Sequence, residues 1–347
     1  MFKIKKRKIS IKNKPFIIAE MSGNHNGSLD NALKIVDLAA KAGADAIKLQ
    51  TYKPDTITIQ SSRKEFLIKD KGNIWKNNSL FDLYKKAQTP WEWHKKIFDR
   101  AKKKKIIYFS SPFDETAVDF LESLNVPLYK VASFENNHFP LLKRIAQTRK
   151  PVIMSTGLAS LNDIKEAVKY LKMHGCTQLA LLKCTSSYPS NPKDLNLITI
   201  KEMKKLFKCE VGFSDHSLGI GAAITAINYG ATIIEKHFTL NKHKGVDGKF
   251  SSEFEELKML KRESEVAQQA KGKVFFGPTN NEIKFKKFRR SIYVSKSIKK
   301  GEKFTKNNLK IIRPAYGLHP KYFDQVVGKI SKKNIKLGIP LKKSFIK

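Results

Sequence analysis

The sequence predicts an α/β fold, a (β/α)8 TIM barrel followed by a small β-rich domain. Three observations carry that expectation. Eight nearly continuous apolar runs of strand length recur between residues 16 and 240, as expected of parallel strands buried on both faces. Segments with helical apolar spacing separate most of them. From about Ser291 the chain changes to short strands and tight turns.

The runs are FIIAEM (16–21), AIKLQTY (46–52), IIYFSSPF (106–113), LYKVASF (128–134), PVIMSTG (151–157), LALLKCTSSYP (179–189), CEVGFSDHS (209–217) and TIIEKHFTL (232–240). SLDNALKIVDLAAKAGA, TPWEWHKKIFDRAKKKK, DETAVDFLESLN, FPLLKRIAQT, SLNDIKEAVKYLKMHG, LITIKEMKKLF and GIGAAITAINYGA lie between them. Several of these begin with Ser, Thr or Asp in capping position and end near Gly or Asn. An open doubly wound sheet is the competing arrangement, but no G-x-G-x-x-G follows the first strand. EFEELKMLKRESEVAQQAKG reads as a closing helix, which bounds the barrel at residues 1–272. A charged connector at 273–290 leads to the β-rich domain at 291–347, which is too small to be stable without docking on something.

Composition narrows the function classes. The 41% hydrophobic content is that of a globular chain with a full core. No apolar stretch reaches the roughly 20 residues of a membrane span. The N-terminus MFKIKKRKISIKNKPF lacks an apolar signal core, so a cytoplasmic protein with no membrane partner is expected. Cys176, Cys184 and Cys209 are odd in number and show no C-x-x-C spacing; they read as reduced packing residues. The formal charge of +37 comes mostly from Lys scattered over helix faces such as KKIFDRAKKKK. That pattern favours a solvated surface over nucleic acid, while leaving a lysine-rich binder of anionic polymers as a non-enzymatic alternative.

Barrel enzymes place their chemistry at the C-terminal ends of the strands, and here those ends are polar. They carry Glu20, Asn24 and His25, then Lys48 and Gln50, Ser110 and Ser111, Lys130, Ser133 and Glu135. Ser155 and Thr156 follow, then Thr185, Ser186 and Tyr188, Ser214, Asp215 and His216, and finally Glu235, Lys236 and His237. His216 and His237 occupy matching positions on consecutive strands and can share one divalent ion, manganese being a borderline cation suited to neutral imidazoles, with magnesium or cobalt as alternatives. Two lysines among several hydroxyls suit a small ligand bearing phosphate and carboxylate. In isolation each residue has a plainer reading, since Lys48 or Lys130 could simply neutralise Glu20, Glu135 or Glu235. A Schiff-base aldolase using Lys48 or Lys130 is a second enzymatic possibility.

IIAEMSGNHNGSL, AIKLQTY, SSPFDETAVDFLESLNVPLYKVASFE, STGLAS, LLKCTSSYP, GFSDHSLGI and IIEKHFTL together resemble the sialic acid synthase family. IKKGEKFTKNNLKIIRPAYGL resembles that family's C-terminal antifreeze-like (SAF) domain. KLQTYKPDT, TPWEWH and KVASFE are similar to its pseudaminic acid branch, and the first loop reads NHNG where N-acetylneuraminate synthases typically show NHEG.

The resemblance implies condensation of phosphoenolpyruvate with an N-acetylated amino sugar, 2,4-diacetamido-2,4,6-trideoxy-altrose in that branch, giving a nine-carbon 2-keto acid and phosphate. A manno-configured sugar, as in N-acetylneuraminate or legionaminate synthases, is the alternative. It implies that His216 and His237 ligate the metal and that Lys48, Ser111, Lys130, Ser133, Ser155, Ser186 and Ser214 bind phosphoenolpyruvate, their charge and donors offsetting its three negative charges. Asn often fills the place of Ser186 in the family. Glu20, Gln50, Tyr188 and Asp247 match sugar positions, and Glu135 matches an acid or base. Arg313 matches an arginine that the small domain lends to the partner subunit's barrel, which implies a domain-swapped homodimer.

Overall fold

Alternation of residue type along each strand sets the layers of the molecule, seen in a computed structural model that describes residues 2–69 and 73–347. A hairpin of β1 (Phe2–Ile4) and β2 (Arg7–Ile9) opens the chain. Eight parallel strands follow: β3 (Phe16–Glu20), β4 (Ala46–Thr51), β5 (Ile107–Pro112), β6 (Tyr129–Val131), β7 (Val152–Ser155), β8 (Leu179–Cys184), β9 (Glu210–Asp215) and β10 (Ile233–His237). They close into a barrel in chain order, with β10 paired to β3. The (β/α)8 barrel read from the sequence is the fold of the molecule.

Outward residues such as Ile17, Ile47, Tyr129, Met154, Leu181, Phe213 and Ile234 pack against the helix layer. Helix Leu29–Ala42 shows how that layer is anchored: Ser28 caps its first turn by accepting from Asn31 N, and Gly43, at φ 90°, ends it in the left-handed region. Inward residues divide by depth. Near the N-terminal end Phe16, Ile18, Ala46, Phe109, Leu128, Ile153, Ala180, Leu182 and Ile233 form an apolar plug. Phe2, Ile4 and Ile9 of the hairpin complete it, so the basic N-terminal segment, read only as lacking a signal core, is a lid on the barrel floor. One or two residues further along each strand the inward positions turn polar, with Glu20, Lys48, Lys130 and Glu235 at most 4% exposed.

Two departures from the sequence reading shape the polar end. Strand β6 is only three residues long, because the chain turns at once into a 3-10 turn, Ser133–Glu135. After β4 a long excursion carries helical turns at Pro54–Ile57, Lys64–Phe66 and Leu80–Ala87 before helix Trp91–Lys103. No sustained period in the sequence announces this excursion, whose described elements are short.

Residues through Gly272 form one compact unit and Lys273–Lys347 a second. In the second, β11 (Ser291–Val294) pairs antiparallel with β12 (Leu309–Ile312) over a core of Ile292, Val294, Ile298, Phe304, Leu309, Val326, Ile335, Leu341 and Phe345. Among the described residues no helix is long and apolar enough to cross a membrane.

Candidate active site

A cavity of about 460 Å³ opens over the polar layer of the barrel. Its floor holds four buried charges. Lys48 Nζ lies 2.9 Å from Glu20 Oε2 and 3.5 Å from Glu235 Oε1. Lys130 Nζ lies 3.7 Å from Glu235 Oε1 and donates to Ser155 Oγ at 2.6 Å. Ser111 Oγ accepts from Lys48 at 3.2 Å, Gln50 Nε2 donates to Glu20 Oε1 at 3.1 Å, and Ser214 Oγ donates to Glu235 Oε1 at 3.1 Å.

The lysines therefore do not face the cavity as two uncompensated cations: Glu20 and Glu235 answer them, the pairing that the sequence left open. Burial works against the Lys48 ammonium, but Glu20 and Glu235 outweigh it and hold its pKa above the ordinary value. Burial alone dominates for Lys130, whose pKa is lowered. Burial disfavours the Glu235 carboxylate too, yet Lys130 and Lys48 overcome it and lower its pKa. Glu20 goes the other way: burial, reinforced by the charge of Glu235, raises it. Of the two carboxyl groups, Glu20 is the one that takes a proton more readily.

Lys48, Gln50, Lys130, Ser133, Glu135, Ser155, Tyr188, Ser214, His216, His237 and Asp247 all line the cavity. Glu20 and Ser111 lie beneath that lining and act on it through Lys48 and Gln50. Ser186 sits beside Ser133: a Cβ added at Gly157 would fall 2.2 Å from Ser186 Oγ and 2.7 Å from Ser133 Oγ, so the bare glycine is what lets the two hydroxyls sit together. Arg313 belongs to the second compact unit, where it is exposed.

The histidines face each other with ring centroids 5.4 Å apart and planes at 63°. His216 Nδ1 lies 3.1 Å from the Thr185 carbonyl oxygen, which only a protonated Nδ1 satisfies; burial opposes the imidazolium, but Cys184 and this carbonyl outweigh it and raise the pKa, and in the neutral ring the Nε2 lone pair is free to bind a cation. His237 Nδ1 is buried without a hydrogen-bond partner, 3.7 Å from Asp247 Oδ2. Burial, with the charges of His216 and Lys48, pushes the His237 pKa well down and keeps it neutral. A free imidazole nitrogen on one ring and an orphaned one on the other fit a divalent cation. Among the described residues no group of three or more His, Cys, Asp or Glu is placed to hold a metal, so the pair would leave the remaining positions to water or substrate oxygens.

Several lining residues were not assigned to the site from the sequence. Glu235, counted among the polar strand ends, was given no role there. Cys184, read as a packing residue, lines the cavity 3.9 Å from His216 Nδ1; burial opposes its thiolate, but His216 outweighs this and brings its pKa to about 7. Ser22 hydrogen-bonds to Asp247 Oδ2. Tyr52, Leu67, Ile68, Trp75, Leu83 and Tyr84 form an apolar wall contributed by the excursion and the end of β4; Tyr52 closes the AIKLQTY run, and no motif announced the other five.

Residues 35–275 match the NeuB family, well over half of the chain. The chain belongs to the NeuB family. Residues 289–347 match the SAF domain. The chain is 44% identical to the pseudaminic acid synthase of Campylobacter jejuni, covering 95% of this chain and 96% of that one. It is 39% identical to the pseudaminic acid synthase of Helicobacter pylori, covering 94% and 96%. A crystal structure of the N-acetylneuraminic acid (sialic acid) synthetase of Leptospira borgpetersenii, in complex with citrate, superposes with a TM-score of 0.73 at 34% identity, covering 82% of this chain and 94% of that one. The two matches together leave residues 1–34 and 276–288 outside them.

Glu135 gives this site a measurable pH signature. Burial raises its pKa to about 7, the charge of Lys130 only partly opposing it, against an ordinary value of 4.5. Between those two values the folded chain holds a proton that the unfolded chain has released, so this group's contribution to stability falls as pH rises and levels off above the folded pKa. Glu135→Gln removes that loss. Denaturant melts should show the variant more stable than the parent by about 3 kcal/mol above neutral pH, with the difference vanishing toward pH 4.5. A difference independent of pH would contradict the assignment.

Proposed function

We propose that this chain condenses phosphoenolpyruvate with 2,4-diacetamido-2,4,6-trideoxy-altrose, forming pseudaminic acid and releasing phosphate. The observation that carries the reading is the pair of buried lysines, ringed by serine hydroxyls, beside two facing histidines at one end of a NeuB-family barrel. The names of the relatives at 44% and 39% identity support the pseudaminic acid assignment.

Lys48 and Lys130, with Ser133, Ser155, Ser186 and Ser214, hold the phosphate and carboxylate oxygens, and Ser111 orients Lys48. An arriving anion competes with Glu235 and Glu20 for the two ammonium groups, and Glu20 can take up a proton in response. Gln50, Tyr188 and Asp247 hold the open-chain sugar so that its aldehyde carbon faces C3 of phosphoenolpyruvate. As the C–C bond forms, Glu135, held as a carboxylic acid near neutral pH, gives its proton to the developing alkoxide. Water then adds at C2, and the tetrahedral intermediate collapses with C–O cleavage to release phosphate. When bound by His216 and His237, a divalent ion, manganese by donor chemistry, would polarise the aldehyde and position a water.

Tyr52, Leu67, Ile68, Trp75, Leu83 and Tyr84 favour a sugar that presents methyl groups over one that presents hydroxyls. The altrose derivative has three such methyls, two on acetamido groups and one at C6.

We extend the proposal to assembly: the SAF unit crosses to the barrel of a second copy and places Arg313 at the sugar. Phe275, Phe276, Phe285 and Phe288 of the connector are 57%, 94%, 54% and 49% exposed in the single chain, apolar surface that a partner would cover. The three cysteines are free, which suits a cytoplasmic location.

Phosphate release from phosphoenolpyruvate should occur with the altrose derivative at a kcat/KM about 10-fold or more above that for N-acetylmannosamine, the scale on which an apolar wall discriminates. Exhaustive EDTA treatment should abolish it. Equal use of both sugars would refute the sugar assignment, and full activity after chelation would refute the metal. Mixing Arg313→Ala with His216→Ala subunits should restore part of the activity that each lacks. No recovery in verified mixed dimers would place Arg313 at its own barrel.

A further inference from the structure

On β9 and β10 the residues facing the helix layer are apolar, namely Val211, Phe213, Ile234 and, just beyond β10, Phe238. Asp215 and Lys236 break the pattern. They occupy the same outward positions and are 0% and 1% exposed. They are also register partners, and they form the last rung of the ladder between these two strands. His216 is the next residue after Asp215 and His237 the next after Lys236, so the ladder between β9 and β10 stops one residue short of joining the two histidines.

Side chains take over where that ladder ends. Lys236 Nζ donates to Asp215 Oδ2 at 2.9 Å and to the Ser217 carbonyl oxygen at 2.7 Å. Asp215 Oδ1 accepts from Ser217 N at 2.8 Å and from Ser217 Oγ at 2.6 Å. The residues on both sides of His216, Asp215 through its carboxylate and Ser217 through its carbonyl, are thereby tied to the side chain of the residue preceding His237. We infer that the buried Lys236–Asp215 clasp is a positioning device that fixes the two histidines at the separation a shared divalent ion requires. The inference rests on the reading of His216 and His237 as metal ligands.

Stability alone is a poor account of the clasp. A buried ion pair in an apolar layer is often replaced by neutral side chains of the same volume at little cost in stability, or with a gain. Groups that orient ligands from behind, by contrast, change metal affinity about 10- to 100-fold when removed. Asp215 and Lys236 touch neither cavity nor substrate, so neither is a catalytic residue; both act through the histidines.

The test measures binding of Mn2+ alone to the full chain, following the loss of the free-ion signal by electron paramagnetic resonance. The neutral double variant Asp215→Asn/Lys236→Met keeps the shapes and the acceptor for Ser217. It should fold with an unchanged melting temperature and bind Mn2+ about 10- to 100-fold more weakly than the parent. Asp215→Asn alone, which should bind Mn2+ severalfold more weakly, carries the test if the double variant does not fold. Parental affinity in a folded variant, with binding lost in His237→Ala, would overturn the positioning role and leave the metal reading intact. Parental affinity in His237→Ala as well would overturn both.

Discussion

Four charges buried at the polar end of the barrel, Lys48, Glu20, Glu235 and Lys130, constrain everything around them. None can be left unpaired away from water without a cost of several kcal/mol, so each side chain is held where another answers it. Ser111, Ser155, Ser214 and Gln50 are drawn in because the remaining lone pairs and N–H groups also need partners. The result is a floor whose charge balance is satisfied but redistributable, and a ligand bearing phosphate and carboxylate can enter it by substituting for the carboxyl groups. The apolar plug of Phe16, Phe109, Ile153 and Ile233 beneath keeps water from reaching the network from the other end.

Much of this was legible in the sequence because the strand period is two and the barrel has one inside. Once FIIAEM or TIIEKHFTL is taken as a strand, the inward residues follow by counting, and Glu20, Lys48, Lys130 and His237 fall on the lining side or just beneath it. The eight strands lie where their apolar runs were read, β6 being cut short because Ser133–Glu135 turns toward the cavity. Less of the remainder was legible, for definite reasons. Phe2, Ile4 and Ile9 are spaced among lysines and gain meaning only when the barrel floor is there to receive them. The apolar wall comes from an excursion of short turns with no sustained period. Asp215 and Lys236 were read as polar strand ends like their neighbours, since sequence alone does not separate the charge that faces a cavity from the one sealed behind it.

The division of labour within the site follows its construction. In the proposed reaction the barrel layer supplies the groups that hold phosphoenolpyruvate, while the chain after β4 supplies the apolar wall proposed to select the sugar. Strand residues are fixed by ladders on both sides, whereas an excursion can vary without disturbing the lysines. That separation is a physical reason why one barrel can serve relatives whose names refer to different sugar acids.

In the proposed reaction the buried carboxyl groups rearrange their protons to admit a trianion. Burial raises Glu20 and brings Glu135 to about 7, so an arriving anion should drive protons onto both carboxyl groups. Calorimetric titration of phosphoenolpyruvate into the full chain at neutral pH, repeated in buffers of different ionisation enthalpy, reads this directly. The heat should depend on the buffer in the sense of net proton uptake on binding. Heats that do not depend on the buffer, or that report proton release, would contradict it.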